Sequence, residues 1–393
     1  MNTQHYDVIV VGGGILGMAH AWAAARRKLS VAVLERSHQA QGATIRNFGQ
    51  VLVTGQAPGI MMDLARQSRG LWLELAEQAG FHVRSNGSLV LARNHLELEL
   101  LEDFAQGRAQ EENVACKMLN GKELASLFDG RLGHHHGALQ GFDDLQIYSR
   151  DALPAITSSL QAMGVDVYTQ AHVHYAQEGQ VHSSAGNFTA NSIFVCPGHD
   201  YSSLHRDLLD TVKPSVTRLQ MLKVRAQDTG WALDRPLLTG LSCLHYGAFS
   251  DLPLADTLRE QVQQRHGVLL DQGIHLLISP TPEGDLIIGD SHDYGLQASP
   301  FNQEDTDQYL LALAETVLGC PVQVLQRWQG VYGAKGPGPF SVLQADGSTQ
   351  VTVMHTGLGM TTGLAIGERN IAARYDCSVP PPCRSGKASA RDN

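Results

Sequence analysis

Three glycines near the start of the chain have the spacing of a phosphate-binding turn. Gly12, Gly14 and Gly17 stand between the apolar run 8–11 and an alanine-rich segment, a pattern that predicts a strand, a tight turn and a helix. Gly12 permits the turn, Gly14 lets the backbone approach a pyrophosphate, and Gly17 lets the helix pack closely on the strand. Because the first N–H groups of a helix have no internal partner, phosphates bind there. The pattern therefore predicts a dinucleotide site.

An acidic residue follows the second predicted strand, at 31–34. Glu35 stands 18 residues after Gly17, where a carboxylate can accept hydrogen bonds from a ribose. Ile15 and Leu16, inside the turn, are predicted to border the same nucleotide. A GxGxxG pattern alone is a weak signal, and a glycine turn without a ligand is the alternative. The order of strand, turn, helix, strand and acid makes the signal specific.

Composition indicates an ordinary globular enzyme. At 393 residues, with 43% hydrophobic and 17% charged residues, the chain has the length of about two or three domains and a sizeable core. A net charge of −10 argues against a nucleic-acid partner, and no apolar run reaches the roughly 18 residues of a membrane span. No signal-peptide pattern opens the chain, and the six cysteines lack CxxC spacing. We expect a cytoplasmic protein with free thiols.

The elements that must position the site alternate along the chain. Residues 58–79 have helical spacing, and residues 190–198 form a predicted buried strand that ends in Pro-Gly. Residues 351–376 repeat the opening theme of strand, glycine turn and helix. Further strands are predicted at 85–93, 213–225 and 274–290, and helical pieces at 95–128. The tail 377–393 is rich in Pro, Ser and basic residues and is predicted to be disordered.

Four segments, taken in order, resemble a known family. They are the unit 12–35, QGATIRNFGQV at 41–51, IFVCPG at 193–198 and HTGLGMTTGLAIG at 355–367. The set looks like the FAD-dependent amine oxidoreductases related to D-amino-acid oxidase, glycine oxidase and sarcosine oxidase, over residues 6–376. GATIRNFGQVLVTGQ and LTGLSCLHYGAF are also similar to a bacterial branch of that family linked with aminophosphonate breakdown.

The resemblance implies an α/β fold of two interleaved domains. A Rossmann-like FAD-binding domain would comprise residues 1–82, 145–212 and 325–376. A substrate domain built on a mixed or antiparallel sheet would comprise residues 83–144 and 213–324.

The resemblance also implies which positions hold FAD. The glycine turn would bind the pyrophosphate and Glu35 the adenosine ribose, while Arg36 would lie near the adenine edge or be a solvated charge. The backbone of Val173 would hold adenine, and the start of the last helix would stabilise negative charge on the reduced flavin. The other implied contacts are Ala43, Thr44, Asn47, Phe48, Gly49, Pro197, Gly198, Gly357, Gly359, Met360, Thr361 and Thr362.

Two departures from the family pattern matter. Some relatives attach flavin through a histidine in the segment matching 41–50 or a cysteine before the last motif. Here the first segment has Ile45 and no histidine, and residues 327–336 contain no cysteine, so noncovalent FAD is expected. The sarcosine oxidases also carry an oxygen-activating lysine on a strand matching 285–289, where this chain has apolar residues. O2 is the expected electron acceptor, with another acceptor as the alternative.

The resemblance implies a substrate site that binds charge rather than one built around a strong base. The family moves a hydride from carbon to flavin, and an acid or phosphonate end of the substrate is bound by cationic and hydroxyl donors. The candidate catalytic and substrate-binding residues are Arg46, His245, Tyr246 and Lys335, with Tyr332 as a further candidate. For each of them a structural or surface role is the alternative, and Arg218 is predicted to be structural.

Other polar clusters favour structural roles. The adjacent histidines 134–136 cannot all face one ion from a regular element, so no metal site is predicted there or elsewhere. His172 and His174 share a strand face beside the adenine position and are predicted to be structural. The acidic pair 143–144 is predicted to be a solvated turn.

The predicted reaction is the FAD-dependent oxidation of a small amine, by deamination or N-demethylation. The resemblance favours an anionic substrate, free or N-methylated 2-aminoethylphosphonate. One alternative is an amino-acid or sarcosine-type oxidase with a carboxylate substrate. Another is a flavin-bearing subunit that passes electrons to a partner protein.

Overall fold

Three β-sheets organise the described part of the chain. The computed structural model describes residues 4–228, 232–296 and 298–376, and the predicted disordered tail lies outside the described residues. We name the two larger sheets the first and the second sheet. The chain passes between them several times, which confirms the interleaved α/β fold class.

The first sheet has the parallel centre that the opening motif predicts. Gln4–Val11 pairs in parallel with Gly186–Val195 on one side and Val31–Leu34 on the other. Residues 8–10 are fully buried, as a strand covered on both faces must be. The strand order is Val173–Gln177, Gln180–Ser183, Gly186–Val195, Gln4–Val11, Val31–Leu34 and Asp166–Tyr168, with Thr349–Met354 beside Gly186–Val195 and Phe340–Gln344 beyond it.

Two helices that follow glycine turns pack against each other beside the first sheet. They are Ile15–Arg26 and Gly359–Tyr375. A Cβ at Gly367 would lie 2.7 Å from the Cβ of Ala19, so this close crossing requires the glycine. Both helices begin at the same end of the molecule, which positions two sets of free N–H groups near each other.

The second sheet is mixed and mostly antiparallel. Ser215–Ala226 pairs along its whole length with Val322–Ala334, and Leu237–Thr239 with Ser88–Ala92 is its parallel pair. The remaining strands are Cys116–Asn120, Gly137–Gly141, Leu277–Pro280, Leu286–Gly289 and Asp293–Tyr294.

One expected domain boundary falls inside a strand. The FAD-binding domain is expected to resume at residue 325, but residues 325–334 continue Val322–Ala334, whose register belongs to the second sheet. A boundary at 325 would divide one continuous strand between two domains. The chain rejoins the first sheet only at Phe340–Gln344. The other expected domain bounds stay a prediction.

A small third sheet and further helices complete the described chain. The third sheet consists of Gln50–Val51, Leu145–Ile147 and Val83–Arg84. The other helices are Ile60–Ala79, His95–Gln106, Arg108–Glu111, Gly121–Leu127, Ser149–Ala162, Arg206–Asp210, Pro253–Asp271 and Glu304–Leu318, with 3-10 turns at Ala43–Ile45 and Gly240–Leu244. In none of the described helices does an apolar stretch reach the length needed to cross a membrane.

One segment departs from the expected helical pieces at 95–128. Cys116–Asn120 is an edge strand that pairs with Gly137–Gly141. The prediction was wrong there because pairing with a distant strand outweighs local propensity.

Candidate active site

A cavity of about 950 Å³ is lined by residues of both large sheets. Three glycine-containing segments reach it: the turn after Gln4–Val11, the segment 42–49 and the turn before Gly359–Tyr375. These segments lie far apart in sequence, so tertiary structure brings them together. The volume is in the range of cofactor and ligand sites, about 300–1,000 Å³.

The glycine turn leaves space at one position that protein does not fill. Gly12 has a φ of +109°, and a Cβ there would collide with the carbonyl oxygen of Cys196. A Cβ at Gly17 would collide with the carbonyl oxygen of Gly12. At Gly14, in contrast, the one described atom within 4 Å of a Cβ would be Oγ1 of Thr44, at 3.2 Å. The open space at Gly14 borders the cavity and fits the pyrophosphate of FAD.

Glu35 and Arg36 border the cavity and are held by protein contacts. The Glu35 carboxylate accepts hydrogen bonds from the N–H groups of Gly13, at 2.8 Å, and Ser37, at 2.9 Å. Each oxygen keeps a lone pair that could accept a ribose hydroxyl. The half-exposed Arg36 forms an ion pair with Asp200, with Nη1 and Oδ2 2.6 Å apart. An adenine contact for Arg36 stays a prediction.

The segment 42–49 is shaped by its own side chains. Oγ1 of Thr44 accepts a hydrogen bond from the N–H of Ile15 at 2.9 Å. Oδ1 of Asn47 accepts one from the N–H of Gly49 at 2.7 Å, and Gly49 has a φ of +71°. These contacts hold the segment against the glycine turn, in the cavity wall.

The last helix begins at the cavity. Thr361 borders it, and its Oγ1 accepts a hydrogen bond from the N–H of Leu52 at 3.2 Å. Thr362 is fully buried and does not line the cavity, and its hydroxyl donates to the Leu358 carbonyl at 3.0 Å; a flavin contact for Thr362 stays a prediction. Successive side chains of a helix point about 100° apart around its axis, so the side chain of Thr362 points away from the cavity that Thr361 borders.

All the other residues predicted to contact FAD border this cavity, although no measured contact tests those roles. They are Gly12, Gly14, Ile15, Leu16, Gly17, Glu35, Arg36, Ala43, Thr44, Asn47, Phe48, Gly49, Val173, Pro197, Gly198, Gly357, Gly359, Met360 and Thr361. Two helix starts with free N–H groups, next to space reserved at a glycine, are chemically suited to a cofactor with a diphosphate.

The four residues predicted for the substrate also border the cavity: Arg46, His245, Tyr246 and Lys335. Nη1 of Arg46 lies 3.4 Å from the carbonyl oxygen of Gln329, so most of its guanidinium donors stay available. Lys335 has a φ of +52°, and its ammonium lies 5.0 Å from the ring centroid of Tyr294. Both cations are therefore held at the wall by contacts that leave their charge unneutralised.

Arg218 borders the cavity as well, where a purely structural role was expected. Its buried Nε has no hydrogen-bond partner among the described residues, and Nη1 is 3.4 Å from Oε1 of Gln329. Burial raises the pKa of the Tyr246 and Tyr332 phenols well above their ordinary value, so both remain hydrogen-bond donors. Arg218 thus adds donors to those predicted, whereas the hydroxyl of Tyr332, a predicted candidate, lies 2.9 Å from Nε2 of His292.

A histidine cluster that the sequence analysis missed stands at the cavity wall. We use this name for His245, His275 and His292, whose ring nitrogens include three atoms within 4.8 Å of one another. Nε2 of His275 lies 3.0 Å from Oδ2 of Asp290, and Nε2 of His292 lies 3.6 Å from Oδ1. His245 and Asp290 border the cavity itself.

A β-hairpin brings the cluster together. His275 precedes the strand Leu277–Pro280 and Asp290 follows its partner Leu286–Gly289, so antiparallel pairing places both residues at one end. Asp290 has a φ of +92°, a conformation that costs a non-glycine residue about 1–3 kcal/mol and persists where its surroundings impose it. Polar residues at the open end of a predicted apolar hairpin are the signal that could have identified this site.

Burial dominates the electrostatics of the cluster. His245 is exposed to the cavity, yet the protein around its ring lowers its pKa well below the ordinary value, and the neighbouring imidazoles lower it further. Burial likewise lowers the pKa of His292, although Asp290 opposes this. Burial alone would raise the pKa of the Asp290 carboxyl, but His275 and His292 hold it below its usual range. An ionised carboxylate therefore lies against the imidazoles of His275 and His292.

Two other polar clusters are placed away from this chemistry. Nε2 atoms of His134 and His135 each lie 3.0 Å from a backbone carbonyl oxygen. Asp144 is fully buried and accepts hydrogen bonds from the N–H groups of Val53, at 2.6 Å, and Thr54, at 2.9 Å. The prediction of a solvated turn was wrong for Asp144, because its carboxylate satisfies buried backbone donors.

The fold is shared with solved flavoenzyme-family structures. Glycine oxidase from Geobacillus kaustophilus superposes with a TM-score of 0.73 at 19% identity, covering 96% of this chain and 97% of that one. L-proline dehydrogenase from P. horikoshii gives a TM-score of 0.74 at 15% identity, covering 95% and 94%. At these identities the likeness establishes the fold alone.

Curated relatives match over parts of their length. Glycerol 3-phosphate oxidase of Mycoplasma pneumoniae is 32% identical over 127 residues, 31% of this chain and 33% of the relative. Monomeric sarcosine oxidase of Bacillus sp. (strain B-0618) is 22% identical over 210 residues, 50% of this chain and 52% of the relative. The chain thus spans about a third to a half of these curated relatives.

The family model described as "DAO: FAD dependent oxidoreductase" matches residues 7–373. That range includes the glycine turn, both large sheets and the start of the last helix. Because the match covers nearly all of the described chain and the cavity suits the cofactor, the chain belongs to the DAO family of FAD-dependent oxidoreductases, with FAD as its cofactor.

Proposed function

We propose that this protein oxidises a C–N bond of a small amine that carries a phosphonate, 2-aminoethylphosphonate or its N-methyl derivative. The observation that supports this most is the set of cations at the cavity wall, Arg46, Arg218 and Lys335. Tyr246, whose phenol stays a hydrogen-bond donor, lies in the same wall. A phosphonate offers three acceptor oxygens and up to two charges, so it can use more of these donors than a carboxylate can.

The acids at the cavity do not cancel these cations one for one. Glu35 accepts two backbone hydrogen bonds, and Asp200 is paired with Arg36. Asp290 is enclosed by the histidine cluster. The wall therefore keeps a surplus of donors that favours an anionic substrate.

Each group of residues has a distinct role in this proposal. The glycine turn binds the pyrophosphate, and Arg46, Arg218 and Lys335 bind and orient the substrate anion. N–H groups at the start of Gly359–Tyr375 stabilise negative charge that develops during reduction. FAD, when bound, accepts the hydride removed from the carbon next to nitrogen. Tyr246 donates a hydrogen bond to the substrate anion, and both tyrosines help to exclude water.

The names of the relatives support both halves of the proposal. Sarcosine oxidase and glycine oxidase are named for amine-bearing substrates, and Glycerol 3-phosphate oxidase is named for a phosphate-bearing one. A second candidate, an amino-acid or sarcosine-type oxidase with a carboxylate substrate, is favoured by the amine-oxidase names alone. A third, a flavin subunit that feeds electrons to a partner protein, differs in its electron acceptor.

Anaerobic bleaching of the flavin tests the substrate directly. The purified FAD protein is mixed with free and N-methylated 2-aminoethylphosphonate, glycine, sarcosine and D-alanine, and the rate of bleaching is followed. We expect the phosphonates to bleach the flavin fastest. Faster bleaching by the amino acids would overturn the phosphonate assignment in favour of the second candidate.

Oxygen consumption by the isolated chain tests the electron acceptor. With the substrate that bleaches the flavin, an oxidase consumes O2 and reoxidises its flavin on admission of air. Rapid bleaching followed by slow reoxidation would identify an electron-transfer protein with a different acceptor.

A further inference from the structure

The geometry points to a divalent metal site formed by His245, His275 and His292 beside the cavity, with the Asp290 carboxylate against two of these imidazoles. The ion that suits such imidazole and carboxylate ligands is a first-row transition ion, with Zn²⁺ as the natural probe. The inference does not rest on the identity of the substrate, because it concerns atoms that lie at and behind the cavity wall.

His292 presents an unprotonated nitrogen. Its Nδ1 lies 2.9 Å from the carbonyl oxygen of Gly273, and a carbonyl can only accept, so Nδ1 carries the proton. Nε2 then has a lone pair, which accepts a hydrogen bond from the Tyr332 hydroxyl at 2.9 Å and which a bound metal ion would take instead. A backbone carbonyl that holds the far nitrogen is the usual support of a metal-bound histidine.

His275 presents a buried nitrogen without a hydrogen bond. Its Nδ1 lies 3.3 Å from Oγ of Ser242, which leaves Nε2 as the inward-facing atom. Among the described residues Nε2 has no hydrogen-bond partner, although Oδ2 of Asp290 lies only 3.0 Å away. The buried nitrogen and the carboxylate oxygen thus form a close pair, and the nitrogen has no aligned hydrogen bond that a metal ion would have to displace.

Asp290 lies against two of the three imidazoles from a strained position. Its two oxygens face the Nε2 atoms of His275 and His292, at 3.0 and 3.6 Å. The left-handed backbone of Asp290, with φ +92°, aims the carboxylate at these nitrogens. Strain of this kind concentrates at binding sites, where other interactions maintain it.

His245 supplies the third imidazole from the cavity side. No described residue hydrogen-bonds its ring nitrogens, and one of them lies within 4.8 Å of the other two ligand atoms. Two nitrogens bound to one tetrahedral Zn²⁺ are about 3.4 Å apart, given a bond length of about 2.1 Å. Closing the site therefore requires the ring nitrogens to approach one another by up to about 1.4 Å. The ion would add positive charge next to the substrate space.

Metal binding by the FAD-loaded protein tests the site. The holoenzyme is treated with a chelator, dialysed and titrated with Zn²⁺, and bound zinc and FAD are both quantified. We expect one Zn²⁺ per FAD. His275→Ala should weaken Zn²⁺ binding by more than about 100-fold, the upper end for losing a residue that only orients a ligand, while FAD stays bound. If His275→Ala loses FAD, the second variant is His245→Gln, which changes the less buried imidazole at the cavity.

The adjacent histidines at 134–136 provide the matched control. His134→Ala removes an exposed imidazole outside the cavity and should leave Zn²⁺ stoichiometry and affinity unchanged. The proposal is overturned if the wild type binds no zinc. It is equally overturned if the FAD-loaded His275→Ala or His245→Gln protein binds zinc as tightly as the wild type, or if only His134→Ala weakens binding. Each of these results would leave the substrate assignment unaffected.

Discussion

Oγ1 of Thr44 accepts a hydrogen bond from the backbone N–H of Ile15, with 2.9 Å between the two atoms. The contact joins the first residue of the helix Ile15–Arg26 to a segment 29 residues further along the chain. It satisfies one of the orphan donors of the helix start without filling the space at Gly14. Thr44, predicted to touch FAD, is thus also the residue that holds two walls of the cavity together.

Thr44→Val should weaken FAD binding while preserving the fold. Valine has nearly the same shape but cannot accept the hydrogen bond, and an unpaired buried N–H costs about 1–3 kcal/mol. We expect a rise of roughly 5- to 150-fold in the FAD dissociation constant, measured by the fluorescence of released flavin. Thr157→Val, at a helix hydroxyl that bonds the Leu153 carbonyl, is the control and should retain FAD normally.

Gly14→Val should abolish FAD retention without unfolding the chain. The new side chain meets little protein, since Oγ1 of Thr44 at 3.2 Å is the one described atom near the Cβ, but it enters the pyrophosphate space. Circular dichroism should report a folded protein and absorbance should report no flavin. Gly70→Ala, in the helix Ile60–Ala79 with no described atom within 4 Å of the Cβ, should bind FAD fully. A yellow Gly14→Val protein would refute the assignment of this turn.

Acid precipitation should leave FAD in the supernatant. The attachment residues of covalent relatives are absent from the sequence. Cys196 does border the cavity, but burial raises the pKa of its thiol, so it lacks the thiolate that attachment would need. Flavin fluorescence that stays with the precipitated protein, and with its band on a denaturing gel, would contradict this prediction.

Arg46→Ala or Lys335→Ala should lower kcat/KM on 2-aminoethylphosphonate or its N-methyl form. Loss of a charge-assisted hydrogen bond costs about 1.5–3 kcal/mol, or roughly 10- to 150-fold. Activity on an uncharged amine should change little. Lys122→Ala and Arg259→Ala, both exposed and outside the cavity, are the controls. An equal loss on charged and uncharged substrates would point to damaged folding or flavin binding instead of lost anion recognition.

Stability should fall as pH drops from about 6.5 toward 4, and His20 should account for part of this. Burial lowers the pKa of His20 to about 4 from 6.5, so between these values the unfolded chain binds a proton that the folded chain does not. His20 therefore contributes about 3 kcal/mol to the free energy of unfolding. This contribution is complete above pH 6.5 and is lost by about pH 4. Urea unfolding at both ends of this range measures it.

His20→Gln removes that titration and should flatten this part of the pH dependence. The ring of His20 lies inside the protein, with Nδ1 2.7 Å from the Leu16 carbonyl oxygen and Nε2 2.9 Å from Nδ2 of Asn370. His38→Gln, at an exposed position, should keep the wild-type dependence. A slope unchanged by His20→Gln would assign the acid sensitivity to other groups.

The sequence alone determined the features that short-range spacing encodes. The strand, glycine turn and helix at 8–26 follow from apolar periodicity and from backbone positions where glycine is required, and all of them are present. The glycine turn before Gly359–Tyr375 was equally readable. The family resemblance then named FAD and the two-sheet fold. Such features were predictable because they depend on residues within one turn or strand of one another.

Tertiary structure decided the contacts between distant segments. Arg218 borders the cavity because its strand lies beside Val322–Ala334, and no local pattern distinguishes it from a structural arginine. The edge strand Cys116–Asn120 exists because Gly137–Gly141 pairs with it. His275 and Asp290 meet across a hairpin, and His245 joins them from another segment. Backbone pairing and burial set these neighbours, and neither is a property of any short stretch of sequence.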